Sequence, residues 1–279
     1  MPPAAITAAP YTKNCGYSYN KLFCSAELLM MDIFHAYTLL QWTLIFLSAF
    51  IIGLGKAGLK GIDMMNVTIM AIVFGGKAST GIVLPLLCTA DIVAVWYYHR
   101  HAQWAHFWKL LPWMMVGILI GVYTGKDLNE VYFRKVMAII IMITAMMMVA
   151  LEFRKKVEYP HNKLFTAGMG LSAGFTTMLG NLAGAFSNIY FLAMRMPKND
   201  FIGTAAWVFL VVNLFKLPFQ VFVWGNITAT SLQTDLLLLP ALFLGFWAGV
   251  KLVARLKDDS YRKAVIVLTL IGAVFIFLK

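Results

Sequence analysis

The chain has 279 residues, of which 61% are hydrophobic and 13% charged, against roughly 45–50% and about 25% in a soluble domain. This composition, with a mean hydropathy of +0.78, excludes a soluble enzyme, a disordered chain and a collagen-like fibre, and three cysteines are too few for a disulfide scaffold. The net charge of +11 does not indicate a nucleic-acid partner, because the basic residues cluster between apolar runs, where they orient membrane segments.

Residues 1–38 are predicted to be an N-terminal extension that is not essential and has no assigned function. The run from Met1 to Pro10 is small and polar and lacks the basic start and apolar core of a signal peptide. Cys15 and Cys24 form a disulfide if the extension is extracytoplasmic, and otherwise they are incidental.

Ten apolar runs follow, some of them shorter than the roughly 20 residues that a membrane-crossing helix needs. The runs are continuous rather than alternating, and lipid requires that backbone groups be bonded internally, so we predict helices. The runs lie near residues 39–55, 62–75, 79–98, 107–125 and 133–151, and then near 164–179, 182–196, 201–224, 232–254 and 261–278.

The two halves of the chain resemble each other, with a boundary near residue 157. Matching positions lie 122 or 128 residues apart: Gly58 with Gly180, Gly81 with Gly203, Leu111-Pro112 with Leu239-Pro240, Gly117 with Gly245, and Gly121 with Gly249. We predict an all-α membrane protein of two inverted repeats, 39–156 and 157–279, with about five segments each, a common plan of secondary transporters. The first two segments of each repeat either span the membrane or form a broken, re-entrant hairpin.

Basic residues predict the orientation, because cytoplasmic loops collect Lys and Arg. One side holds Arg100, Lys109, Arg154, Lys155, Lys156, Lys163, Arg195, Lys198, Lys251, Arg255, Lys257, Arg262 and Lys263, and the other holds Lys77, Lys126, Arg134 and Lys135. The first side is predicted to be cytoplasmic, so that both termini are extracytoplasmic in a multi-pass protein of the plasma (inner) membrane.

The glycine-punctuated stretch from Gly53 to Asp63 is the first candidate site. Its glycines, Gly58 among them, weaken the helix, and Lys56 and Lys60 are costly inside a bilayer. Where the helix is interrupted, free backbone N–H groups and the N-termini of half-helices can bind an anion. The alternative is an ordinary loop with solvated lysines.

The second half has a similar stretch from Gly174 to Gly184. It contains Gly180 and Asn181, with Thr176, Thr177, Ser187 and Asn188 nearby as uncharged hydrogen-bonding groups. Close packing of helices through small residues explains the glycines, but it explains Asn181 less well.

Asp91 lies in the middle of the third segment, and an acid there is a candidate for function. Asn213 stands 122 positions later, and Lys216 shares its helix face. We expect Asp91 either to take up protons or to form an ion pair with Lys216 or Lys60.

Ser79, Thr80 and Thr204 are expected to cap the starts of the third and eighth segments, or to contribute to anion binding there. The Gly170–Gly174 match to an esterase motif lacks its strand–turn–helix context. His99, His101 and His106 have no Cys or acidic partner nearby in the sequence and are not predicted to bind metal.

In order and spacing, these motifs resemble the TauE/SafE family of sulfite exporter-like transporters over residues 39–279. The resemblance is carried by the loop at 53–61, the run 75–81, the run 97–104, the two Leu-Pro segments, the run 180–184 and the run 196–204. The resemblance implies an inner-membrane transporter of small sulfur-containing anions such as sulfite or sulfonates, with no cofactor. Lys56 and Lys60 stand where the family often has consecutive glycines.

The first hypothesis is therefore a secondary transporter that works by alternating access, with a small anionic substrate and protons as a candidate coupling ion. The second hypothesis is an anion channel, or a transporter of another small anion, on the same scaffold. A third is an intramembrane enzyme that uses Ser172 or the histidines.

Overall fold

The computed structural model describes residues 37–153 and 163–277, and all regular structure in these two ranges is helical. Apart from Leu39, the helices below belong to one compact unit, residues 40–279. Cys15, Cys24 and the predicted boundary near residue 157 lie outside the described residues.

Ten α-helices lie in the described residues, one for each predicted apolar run. The first five are α1 (Leu39–Lys56), α2 (Asp63–Phe74), α3 (Gly76–Tyr98), α4 (Trp104–Gly125) and α5 (Glu130–Phe153). The next five are α6 (Lys163–Gly180), α7 (Ala183–Ala193), α8 (Lys198–Pro218), α9 (Ala229–Ala254) and α10 (Asp258–Phe277). Short turns extend two of them: a 3₁₀ turn (His99–His101) follows α3 and a π-helical turn (Phe219–Val223) follows α8.

Seven helices begin earlier than the predicted apolar runs. The starts of α3, α4, α5, α8, α9 and α10 precede the runs by three residues each, and the start of α6 precedes its run by one. Polar or charged residues such as Glu130, Asn199 and Asp258 occupy these first turns. First turns favour such residues because their side chains and charges suit the exposed N–H groups and the helix dipole, and a search for apolar runs therefore misses them.

Five of the helices are long and apolar enough to cross a membrane by length and composition: α1, α3 with its 3₁₀ turn, α4, α8 with its π turn, and α9. Large apolar side chains such as Trp108, Leu119, Leu236 and Leu244 are exposed on α4 and α9, as expected of surfaces that face lipid rather than water. The chain is a multi-pass membrane protein, and its α2 and α7, with 12 and 11 residues, are shorter than a full span.

Glycines allow close packing between helices of opposite halves. A Cβ added at Gly53 of α1 would collide with the Leu242 carbonyl of α9, and one added at Gly174 of α6 would collide with the Met114 carbonyl of α4. The partner helices contribute Gly245 and Gly117, where an added Cβ would also meet backbone. Thus α1 packs on α9 as α6 packs on α4.

The starts of α3 and α8 are held in the same way. In the first half, the Lys77 ammonium donates to the carbonyl oxygens of Lys126 (2.6 Å) and Leu128 (3.3 Å), beyond the end of α4. The Glu130 carboxylate accepts from the backbone N–H groups of Gly76 (2.5 Å) and Lys77 (3.1 Å). These bonds tie α3 to the next two helices in the sequence, α4 and α5.

In the second half, the Lys198 ammonium donates to the carbonyl oxygens of Val253 (3.1 Å) and Leu256 (2.6 Å) at the end of α9. The Asp258 carboxylate accepts from the Lys198 backbone N–H (3.3 Å). The start of α8 is thus tied to α9 and α10 by the same two kinds of contact.

Candidate functional site

Two breaks in the helices position the candidate site. Between α1 and α2, Gly58 and Gly61 have φ values of +125° and +100°, which side chains disfavour. Between α6 and α7, Asn181 has φ +56°, a conformation that Asn tolerates better than most residues. The glycine-rich stretches predicted to interrupt the helices do so, and each break leaves polar side chains inside the helical bundle.

A cavity of about 30 Å³ lies beside these breaks, with room for only one or two water molecules. Its walls come from both halves of the chain. The lining residues are Lys56, Gly61, Met64, Asn66 and Leu87 from the first half, and Thr177, Asn181, Leu182, Ala183, Gly184, Asn188, Phe209 and Asn213 from the second.

Lys56 and Asp91 form a buried ion pair at this cavity. The Lys56 ammonium lies 2.7 Å from Asp91 Oδ1, and the two side chains are 7% and 0% exposed. Asp91 Oδ2 accepts a hydrogen bond from Asn213 Nδ2 at 2.6 Å, whereas Oδ1 makes no directed hydrogen bond within the described ranges and is held by the ion pair. Helices α1, α3 and α8 therefore meet at one carboxylate.

Lys216 is fully buried on α8, and its ammonium donates to three uncharged oxygens. These are Asn181 Oδ1 (2.6 Å), Thr177 Oγ1 (3.1 Å) and Asn213 Oδ1 (3.4 Å). The expected direct pairing of Asp91 with Lys216 or Lys60 is wrong, because Asp91 pairs with Lys56 and Asn213 bridges Asp91 to Lys216. The Asn213 amide thus donates to the Asp91 carboxylate and accepts from the Lys216 ammonium. Lys216 itself is not among the residues that line the cavity and lies behind its wall.

Asn181 and Thr80 connect the second break to α3. The Asn181 amide donates to the Thr80 carbonyl oxygen at 3.0 Å, while the Thr80 hydroxyl accepts from Gln220 Nε2 at 3.3 Å. Gln220 lies in the π-helical turn and is buried. Such turns are frequent at functional sites, and this one directs a polar side chain towards α3.

Lys56 and Lys60 share an aromatic contact. Their ammonium groups lie 4.8 and 5.2 Å from the centroid of the Phe209 ring, and Phe209 lines the cavity. Lys60 is 1% exposed. A ring face attracts a cation that has lost its water, so Phe209 helps to hold two buried lysines near the cavity.

Of the predicted site residues, Lys56, Asn181 and Asn213 line this cavity and eight do not. Besides Lys60, Thr80, Asp91 and Lys216, described above, these are Gly58, Ser79, Gly180 and Thr204. Gly58 packs against Ile202, and Gly180 packs against Met137. The Ser79 hydroxyl donates to the Gly76 carbonyl oxygen at 2.9 Å, within the first turn of α3. Thr204 accepts from the Gln103 backbone N–H at 2.8 Å and so ties α8 to the start of α4.

The capping prediction for Ser79, Thr80 and Thr204 is wrong. The N-caps of α3 and α8 make no side-chain capping bond, and Ser79 and Thr80 donate to carbonyl oxygens instead. Acidic residues from α5 and α10 bind the free N–H groups at these helix starts. The caps come from residues distant in sequence, which local capping patterns cannot detect.

Asn66 was missed, and Asn188 was noted only as a neighbour. They lie 122 positions apart and both line the cavity. Asn66 is 3% and Asn188 1% exposed. Ser48 donates to Asn66 Oδ1, whereas Asn188 Oδ1 has no hydrogen-bond partner in the described part of the chain. The 122-residue spacing was the signal that could have identified this amide pair.

Comparison with known proteins assigns a family. Residues 45–276 match the family model described as Sulfite exporter TauE/SafE. No curated protein and no solved structure matches the chain significantly.

Proposed function

Because this chain belongs to the TauE/SafE family of sulfite exporters, whose members are transporters and not enzymes, we propose that it moves a small sulfur-containing anion across the plasma membrane. The observation that carries this proposal is the surroundings of the Lys216 ammonium. Its buried ammonium contacts three uncharged oxygens beside the cavity. A buried positive charge with no carboxylate in direct contact favours an anion nearby.

We propose that the cavity residues contact the substrate and that Lys216 attracts it from behind the wall. Lys56 and Lys60 supply further positive charge, and the amides of Asn181 and Asn213 orient the anion. The amides of Asn66 and Asn188 add two donors from opposite sides. Ser79, Thr80, Thr204, Gly58 and Gly180 act by positioning α3, α8 and the two helix breaks.

The small cavity supports an alternating-access mechanism. A sulfite or sulfonate ion is larger than the one or two waters that about 30 Å³ admits, so the walls must separate for the substrate to enter. The walls come from both halves, and separation of the halves opens the cavity without unfolding any helix. Rocking of one repeat against another is a recurrent transport mechanism.

An inverted repeat is supported by contacts that recur in both halves of the chain. The Gly53 and Gly245 contacts between α1 and α9 match those of Gly174 and Gly117 between α6 and α4. The paired attachments at the starts of α3 and α8 recur in the same way. We propose that the two repeats, 39–156 and 157–279, are inverted, and that both termini are extracytoplasmic.

The proposal is tested by counterflow of labelled sulfite in proteoliposomes that contain the purified full-length protein. Lys216→Met is compared with Lys251→Met, which removes the same charge from an exposed position on α9. We expect saturable counterflow in the unsubstituted protein and in Lys251→Met, and loss of at least about tenfold in a folded Lys216→Met variant. Full counterflow in that variant would contradict the assigned role of Lys216.

An anion channel on the same scaffold gives a different result. A channel carries ohmic current that does not saturate with sulfite concentration and shows no counterflow, whereas a transporter shows both saturation and counterflow. If other anions show saturable counterflow and sulfite does not, the transporter class stands and the substrate is wrong.

A further inference from the structure

A second buried carboxyl lies within the membrane-spanning helix α9. Asp235 is 5% exposed and lies roughly 10 Å along the axis from the start of α9. Four leucines, 236–239, follow it. Neither of its carboxyl oxygens has a hydrogen-bond partner within the residues that the structure describes. An ionised carboxylate is strongly disfavoured in such surroundings, so a neutral, protonated carboxyl is the form that fits.

Asp91 presents the opposite case. Its two oxygens are held by an ammonium group and an amide, which stabilise the ionised form. Asp91 is a candidate proton carrier by its sequence position, but a carboxylate in an ion pair gives up that pair whenever it binds a proton. Asp235 has no such partner to lose, so uptake and release of a proton disrupt no contact.

The helices packed against α9 bring few titratable groups to Asp235. Helix α1 has none before Lys56, its last residue, and α3 has Cys88 and Asp91 in its central part, with Lys77, Tyr97 and Tyr98 at its ends. The buried thiol of Cys88 lies within electrostatic range of Asp235, Asp91, Lys56 and Lys216. Asp235 and the charged groups at the cavity thus all lie near Cys88 of α3, and Asp235 bonds to none of them.

We propose that Asp235 is the proton-binding site that couples this transporter to a proton gradient, an inference that rests on the proposed function. Asp235 takes a proton from water on one side of the membrane, holds it while the cavity is closed, and releases it to water on the other side. An ionised Asp235 weakens the attraction of the buried lysines for an anion, and a protonated one restores it. Proton and anion therefore favour each other's binding and travel together.

The test compares Asp235→Asn with two controls in proteoliposomes. Asp259→Asn makes the same change at an exposed position of α10, and Asp235→Glu retains a carboxyl group. Labelled sulfite counterflow at equal pH reports transport alone, and accumulation under a pH gradient, acid outside, reports coupling. Sulfite itself binds protons near neutral pH, but that contribution is equal in all variants.

We expect Asp235→Asn to retain counterflow while its gradient-driven accumulation falls by about fivefold or more. The unsubstituted protein, Asp259→Asn and Asp235→Glu should all keep that accumulation. Unchanged accumulation in Asp235→Asn would overturn the proposal. If the unsubstituted protein shows no sulfite counterflow, the proposed substrate fails instead.

Infrared spectroscopy of the purified protein tests Asp235 without any substrate. At neutral pH we expect the carbonyl stretch of a protonated carboxyl in the unsubstituted protein, and loss of that band in Asp235→Asn but not in Asp259→Asn. A spectrum that Asp235→Asn leaves unchanged would show that Asp235 is ionised and would contradict the proposal, whatever the substrate.

Discussion

Asp91 of α3 and Asn213 of α8 stand 122 positions apart in the two halves and are joined by a hydrogen bond of 2.6 Å. Asp91 has a carboxylate oxygen where Asn213 has an NH₂ group, so the ionised Asp91 side chain carries one negative charge and the Asn213 side chain carries none. On the first-half side, the carboxylate pairs with the Lys56 ammonium. On the second-half side, the amide bridges to Lys216, whose other contacts are also uncharged.

This difference separates two uses of a buried lysine. Lys56 is matched by a carboxylate, so the pair has no net charge and its removal from water is partly compensated. Lys216 has hydrogen bonds but no ion pair, so its charge remains available to an anion. An acid at only one of these two positions thus gives a cluster that is held together and that carries one unpaired positive charge.

The largest expected effect comes from removing the acid. Asp91→Asn leaves the Lys56 ammonium buried without its counter-charge, and we expect it to lower the free energy of unfolding by about 3–5 kcal/mol. The measurement is reversible denaturation of the purified protein in mixed micelles. Asp259→Asn, at an exposed position, serves as the matched control.

The double variant Lys56→Met with Asp91→Asn sharpens this result. It removes both charges together, and replacement of a buried ion pair by uncharged groups is often neutral in stability. We expect most of the loss to be recovered. A double variant as unstable as Asp91→Asn would show that the loss does not arise from an unpaired Lys56.

The second prediction tests whether the two halves really use equivalent helix contacts. Gly117→Ala and Gly245→Ala each force a methyl group against backbone of the facing helix, at Leu171 and Phe50 respectively. We expect each to lower the free energy of unfolding by about 2–3 kcal/mol, by similar amounts because the contacts are alike. The same micelle denaturation measures both.

Gly168→Ala is the control for these variants. An added Cβ there meets nothing within 4 Å, and Ala favours a helix over Gly by about 1 kcal/mol, so α6 should become slightly more stable. A large difference between Gly117→Ala and Gly245→Ala would argue against equivalent packing of the two halves.

The sequence predicted the helices well because lipid imposes continuous apolar runs, and each run became a helix. It also indicated Lys56 and Asn181 as candidate site residues at the helix breaks, because a charged or polar side chain costs free energy in an apolar segment. It could not predict which lysine pairs with Asp91, because Lys56, Lys60 and Lys216 lie on different elements and the choice depends on their packing. The sequence could not single out Asp235 for a similar reason. Only the structure shows that its side chain is buried and that neither carboxyl oxygen has a hydrogen-bond partner in the described residues.

The smallest expected effects come from replacing two buried amides, Asn66 and Asn188, which lie 122 positions apart. Asn66→Leu leaves the buried Ser48 hydroxyl without its acceptor, which should lower the free energy of unfolding by about 1–2 kcal/mol. Asn188→Leu removes a buried oxygen that has no hydrogen-bond partner in the described residues, so stability should stay nearly unchanged.

Sulfite counterflow should respond differently from stability. Both amides line the cavity, and if both contact the anion, each substitution raises the KM for sulfite even though only Asn66→Leu is less stable. Asn188→Leu is the more decisive variant, because a raised KM in a protein of unchanged stability cannot be attributed to misfolding. An unchanged KM in Asn188→Leu would place the anion closer to Lys56 and Asn181 and leave Asn188 with no part in binding.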